Sequence, residues 1–194
     1  MCTDYDNADF MNQKGVENTE DSLILVDLDD EVIGFASKQQ AHSGEGTTHR
    51  AFLIFLFDNC NKLLLHERSQ FKPLWPGFWT NSCCSHPRRG EDILSAASRR
   101  LQEELGVEGR LEFVYKFHYR AKYLEVGSED ENCSVFLARL SPDQELSVNP
   151  EEISNIRWMT LEEIDHWISN EKDIFTPWFL IEWEQLSGKY RHLV

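Results

Sequence analysis

The sequence predicts a single domain of the α+β class, or a closely related α/β/α arrangement, from three observations. A continuous apolar run, Ala51 to Phe57, stands among several shorter strand-like segments. One amphipathic helical pattern, Ile93, Ala97, Leu101 and Leu105, follows them, and two shorter helical segments close the chain. Strands surrounding one strong helix bury their apolar faces in a layered domain, and 194 residues at 41% hydrophobic composition suffice for one sizeable core.

Residues 1–20 are polar and acidic without sustained periodicity and read as a disordered tail ahead of a folded domain over 21–194. LILVD (23–27), an acidic turn at Asp29 and Asp30, and EVIGFAS (31–37) read as a hairpin. The β-branched and aromatic character of Ala51–Phe57 predicts a strand buried on both faces. Asp58 to Asn61 reads as a turn and Lys62 to Arg68 as the returning strand. Pro73, Pro76 and Gly77 mark an aromatic-rich loop. Glu91 and Asp92 suit the positive start of the helix through Leu105, and Gly106 suits its stop. Leu111–Arg120 and Cys133–Leu140 read as two strands separated by an acidic loop. Thr160 with Glu163 forms a capping-box pattern before a helix to about Ile168, and Pro177 to Leu186 reads as the last helix.

Charge excludes one class of partner. The chain carries 34 acidic and 19 basic side chains, a formal charge of −15, whereas proteins that bind duplex nucleic acid through phosphate attraction need a basic face. The average hides a division: residues 1–31 carry −9, residues 32–122 carry +4 and residues 123–194 carry −10. An anionic small molecule therefore meets its most favourable field in the middle segment. No run is long enough to span a bilayer and no secretory signal opens the chain, so a cytoplasmic protein is expected. The five cysteines, Cys2, Cys60, Cys83, Cys84 and Cys133, have neither disulfide-framework nor zinc-ribbon spacing.

Three clusters could carry chemistry. In WPGFWTNSCCSHP, ending at Pro87, an extended backbone would place Cys84 and His86 on one side and Cys83 on the other. In Glu129-Asp130-Glu131, alternation would put the two glutamates on one face, as a metal requires of paired carboxylates. His42 and His49 flank Gly44 and Gly46, where a flexible loop could bring both imidazoles to one ion. Taken alone, the first two clusters read better as a buried cysteine and an acidic surface loop, and the third equally well as two exposed histidines. Together, three histidines and two carboxylates form a nitrogen and oxygen ligand set suited to zinc, manganese or magnesium.

HPRRGEDILSAASRRLQEELGV, from His86 to Val107, resembles a degenerate Nudix box, G-x5-E-x7-R-E-U-x-E-E-x-G-U. Glu91, Arg99, Leu101, Glu103, Glu104, Gly106 and Val107 fall in register, while Ser85 replaces the first glycine and Arg100 replaces a glutamate. With TNSCCSHP, the two spaced histidines, the EDE triplet and FTPWF (175–179), the chain resembles the type 1 isopentenyl-diphosphate isomerases over roughly residues 21–190.

The resemblance implies a single Nudix-like α/β/α sandwich with a mixed β-sheet. It implies one divalent ion, Mn2+, Zn2+ or Mg2+, held by His42, His49, His86, Glu129 and Glu131, and an Mg2+ bridging the substrate diphosphate and Glu104. Lys38, Arg68 and Lys72 match diphosphate-binding positions. Cys84 and Glu131 match the proton-transfer pair of a 1,3-allylic shift, Tyr119 a hydrogen-bonding partner of the carboxylate, and Trp178 an aromatic wall for a carbocation. The implied substrates are isopentenyl and dimethylallyl diphosphate, acted on by a monomer or weak homodimer. The alternative is a Nudix hydrolase of a nucleotide or other diphosphate, against which Arg100 counts, because that chemistry relies on a cluster of helix glutamates.

Overall fold

The computed structural model describes residues 22–193, so the acidic segment expected as a tail lies outside the described residues. The expected hairpin forms from β1 (Ser22–Val26) and β2 (Val32–Ser37), paired antiparallel. A one-turn helix, α1 (Lys38–His42), follows directly. Then come β3 (His49–Phe57), β4 (Leu63–Arg68), the short β5 (Trp79–Thr80) and β6 (Cys83–Ser85), and α2 (Ile93–Leu105). The long antiparallel pair β7 (Glu112–Tyr123) and β8 (Gly127–Arg139) precedes β9 (Ile153–Met159), α3 (Leu161–Glu171) and α4 (Pro177–Gly188).

The sheet is mixed because β3 runs parallel to β8 and antiparallel to β6. The β3–β8 register sets His49 opposite Glu131, Leu53 opposite Val135 and Phe55 opposite Leu137. Alternation along β3 divides its side chains between two cores, as expected of a strand buried on both faces. Ala51, Leu53, Phe55 and Phe57 pack with the C-terminal helices, while Phe52, Ile54 and Leu56 pack under α2. Each such buried side chain contributes about 1.5–3 kcal/mol relative to exposure, so the register is strongly fixed.

Helix ends follow the local chemistry. The Asp92 side chain accepts from the amides of Leu94 and Ser95, and Gly106 stops α2 in the left-handed region at φ +71°. Thr160 and Glu163 form the expected capping box of α3.

Three segments differ from expectation. The acidic stretch is no loop: Glu129, Asp130 and Glu131 lie inside β8, which is buried almost throughout between β3 and β7. A charged run in a central strand defeats hydrophobic pattern, and its stabilisation has to come from the groups it faces. The short α1 and β9 were not anticipated. The helix is capped by Ser37 and Gln40 in a reciprocal box, a signal present in the sequence. In β9 the apolar residues Ile153, Ile156 and Trp158 break strict alternation, and the opposing β4 shifts register between Glu67 and Arg68.

Candidate active site and metal centre

Four pieces of backbone meet at one end of the sheet. His42 ends α1, His49 begins β3, His86 follows β6, and Glu129 and Glu131 share one face of β8. Their five ligand atoms lie within 4.8 Å of one another. Asp130, between the glutamates, turns to the opposite face and accepts from Thr48 Oγ1 at 2.9 Å, with His118 Nε2 at 2.8 Å.

The donor set fits a divalent cation on its own geometry. His42 Nδ1 lies 2.6 Å from the carbonyl of Lys38, and His49 Nδ1 lies 2.7 Å from that of Thr47. A carbonyl only accepts, so both Nδ1 atoms carry the proton and both Nε2 lone pairs point inward, the arrangement of metal-ligating histidines. His42 Nε2 and Glu129 Oε2 face each other at 2.7 Å, buried and without a hydrogen bond. Two acceptors at that separation repel unless a cation lies between them. His49 Nε2 and His86 Nε2 are likewise 3.2 Å apart.

Gly127 lets α1 deliver His42. A Cβ there would run into the His42 carbonyl oxygen, so the helix end can lie against β8 only where β8 begins without a side chain.

Beside this cluster opens a cavity of about 610 Å³. Lys38, Arg68, Lys72, Cys84, Tyr119, Glu131 and Trp178 line it together with His42, His86 and Glu129. Cys84 and Cys83 part as an extended backbone requires: Cys84 faces the cavity, and Cys83 is buried in the core under α2. Withdrawal from water pushes the Cys84 thiol up to about 12, against the pull of Arg68, so it stays protonated at neutral pH. Glu131 divides its oxygens. Oε1 lies 2.8 Å from His86 Nε2, while Oε2 accepts from Tyr119 Oη at 2.7 Å and from Cys133 Sγ at 3.3 Å.

The aromatic and basic walls are fixed from behind. Trp178 Nε1 donates to Thr80 Oγ1 at 3.0 Å, which also bonds Thr176 Oγ1 at 2.9 Å and Asn81 Oδ1 at 2.9 Å. Arg68 donates through Nε to Trp75 O at 3.0 Å and through Nη2 to Leu74 O at 2.8 Å. These bonds hold Trp75 at φ +48°, a left-handed conformation costly for a bulky residue. Nη1 is left 4.0 Å from Cys84 Sγ, and the guanidinium lies 5.2 Å from the Trp178 ring centroid.

Residues 47–179 match the NUDIX domain family. Over 168 residues the chain is 39% identical to Isopentenyl-diphosphate Delta-isomerase 1 of Photorhabdus laumondii, covering 86% of this chain and 94% of that one. The chain belongs to the isopentenyl-diphosphate Delta-isomerases. It is also 31% identical to the isopentenyl-diphosphate delta-isomerase of Schizosaccharomyces pombe, across 98% of this chain and 91% of that one. Among solved structures, a Deinococcus radiodurans protein superposes with a TM-score of 0.62 at 25% identity, covering 77% of this chain and 90% of that one.

In this isomerase the Nudix-box helix is occupied by arginines. Arg99 pairs with Glu91 at 2.7 Å and Glu103 at 3.1 Å, and Arg100 pairs with Glu103 at 2.9 Å and Glu104 at 2.7 Å. Glu104 is buried behind the cavity and does not line it, unlike the other expected site residues apart from His49. Thr80, Asn81 and Ser82 went unassigned in the sequence, although they anchor the Cys84 segment. Asn81 Nδ2 donates to Cys83 O at 2.7 Å, and Ser82 Oγ to Leu64 O at 2.7 Å. Their small, polar run before the paired cysteines was the available signal. Among the described residues no helix is long and apolar enough to cross a membrane.

Proposed function

We propose that this isomerase interconverts isopentenyl and dimethylallyl diphosphate by protonating the alkene to a tertiary carbocation and removing a proton from C2. The observation that carries this reading is that Cys84 and Glu131, the latter hydrogen-bonded by Tyr119, open onto one cavity whose walls also supply Lys38, Arg68 and Lys72. Acid and base on a shared substrate cavity are what an allylic proton shift needs.

The basic residues bind the diphosphate and fix the carbon chain against Cys84 and Glu131. Tyr119 orients Oε2 of Glu131 and passes or holds its proton. The Trp178 ring, locked by Thr80, excludes water and stabilises the cation through its π face, by about 2 kcal/mol when desolvated. His42, His49, His86, Glu129 and Glu131 would hold one ion, Mn2+, Zn2+ or Mg2+, whereas Glu104 would join an Mg2+ site at the diphosphate only on release from Arg100. Bound there, such ions neutralise the clustered carboxylates and lower the proton affinity of Glu131.

Hydrolysis is the weaker reading, because Arg99 and Arg100 already pair the helix carboxylates. Incubation with isopentenyl diphosphate and magnesium in heavy water tests both. Deuterated dimethylallyl diphosphate is the expected product. Phosphate release without isomer would establish the hydrolase instead, and intact, unlabelled substrate would overturn both.

A further inference from the structure

Behind the basic wall of the cavity stands an anion with no role in the reaction as described. Glu152 accepts from Lys72 Nζ through Oε2 at 2.6 Å and from Arg100 Nη2 through Oε1 at 2.8 Å. Its backbone is anchored on both sides: the Ser69 amide donates to Glu152 O at 2.9 Å, and the Glu152 amide donates to Asn149 O at 3.1 Å. Arg100 in turn is held by Glu103 and Glu104. Lys72, on a loop and paired in this network with Glu152 alone, is the member free to swing.

Lys72 and Arg100 both repel Lys38 here, against the pull of Glu129 and Glu152. Without a nearby anion, that repulsion would spread them before a ligand arrived. Burial would raise the Glu152 carboxyl, but Lys72 and Arg100 hold it down at about 2, so it is ionised throughout the physiological range.

We propose that Glu152 is a positioning residue that stands in for the ligand's diphosphate, holding Lys72 beside the cavity and releasing it when a diphosphate binds. This rests on the reading of Lys38, Arg68 and Lys72 as the diphosphate site. The placeholder keeps the cations assembled and competes with the incoming anion. A carboxylate that only braced the fold would do the first and not the second, so the two roles differ in the sign of what its removal does.

The test uses metal-loaded enzyme freed of excess metal and inorganic pyrophosphate as the probe, with affinity read by calorimetry. Glu152→Gln keeps the shape and removes the charge. Pyrophosphate is expected to bind the variant about tenfold more tightly, and to raise its Tm by more than it raises that of the wild type, while the Tm of the ligand-free variant falls. Weaker or unchanged binding overturns the proposal, since a bracing residue gives that result. If Glu152→Gln does not fold, Glu152→Asp, too short to span both cations, should tighten binding about two- to threefold, and no tightening overturns the proposal equally. Wild-type enzyme that binds no pyrophosphate would instead remove the diphosphate site itself, and the placeholder with it.

Discussion

Tyr119 donates its hydroxyl to Oε2 of Glu131 at 2.7 Å, leaving Oε1 to the histidines. On the proposed mechanism one carboxylate thus has a ligand oxygen and a proton-handling oxygen, kept distinct by a buried phenol across the β7–β8 pair. Tyr119→Phe removes only that bond. Turnover should fall about 100-fold with metal content unchanged, whereas Glu131→Gln should lose turnover and metal together. Equal metal loss in both variants, measured by elemental analysis, would contradict the division of the two oxygens.

The neighbouring thiols should separate cleanly. Cys84→Ala is expected to lower kcat by about 10³-fold, and Cys83→Ala to retain turnover while lowering stability by about 1–2 kcal/mol through core packing. A fully active Cys84→Ala enzyme would sink the proton-transfer assignment.

Protonation of Cys84 has a chemical signature. With the thiol pushed up to about 12, the thiolate fraction rises tenfold per pH unit across the range in which the enzyme is handled. Alkylation by iodoacetamide, located at Cys84 by peptide mass mapping, should keep accelerating beyond pH 9, above the ordinary thiol pKa of about 8.5. A rate that levels off near pH 9 to 10 would show a thiol of ordinary acidity.

The histidine and glutamate cluster predicts metal-dependent stability. Chelation should lower Tm and re-addition of a divalent ion restore it, because convergent carboxylates and imidazole lone pairs repel in the folded state alone. His42→Ala should weaken metal affinity by at least the roughly 10–100-fold seen for residues that merely orient ligands. Unchanged binding in an equilibrium competition assay would remove His42 from the ligand set.

Glu182 on α4 is buried with neither carboxylate oxygen hydrogen-bonded, and burial pushes its carboxyl well above its ordinary 4.5. Below about pH 4.5 folded and unfolded chains both carry the proton. As pH rises beyond that, the unfolded chain releases its proton first and is favoured, so stability is lost progressively up to the folded pKa. Glu182→Gln should abolish this slope and gain about 1–3 kcal/mol at neutral pH, a few degrees in Tm. Tm curves of the two proteins that stay parallel from pH 4 to 8 would refute it.

Local chemistry made much of the fold legible. β3 declared itself by seven consecutive apolar residues, and α2 by its four-residue spacing, Asp92 cap and Gly106 stop. Apart from the family resemblance, the site was legible only as scattered residue types, because His49, His86 and Glu131 converge through β3–β8 and β3–β6 pairing and His42 through the packing of α1 on β8 at Gly127, which no local pattern encodes. For the same reason a charged triplet read as a loop proved to be central strand. Arg68 and Lys72 read, by resemblance, as diphosphate-binding cations. Their tethers to Trp75 and Glu152 depend on a loop conformation and on a residue 80 positions away in the chain.

The pairing of His49 with Glu131 across β3 and β8 belongs to the same ladder that seats Leu53 against Val135 and Phe55 against Leu137. Activity therefore reports on strand alignment. A slip of β8 by one residue would send Glu129 and Glu131 to the face now held by Asp130, erasing catalysis without altering any residue that touches substrate. Inactivating substitutions should accordingly include conservative changes deep in these two strands, and restoring the packing there should revive the enzyme.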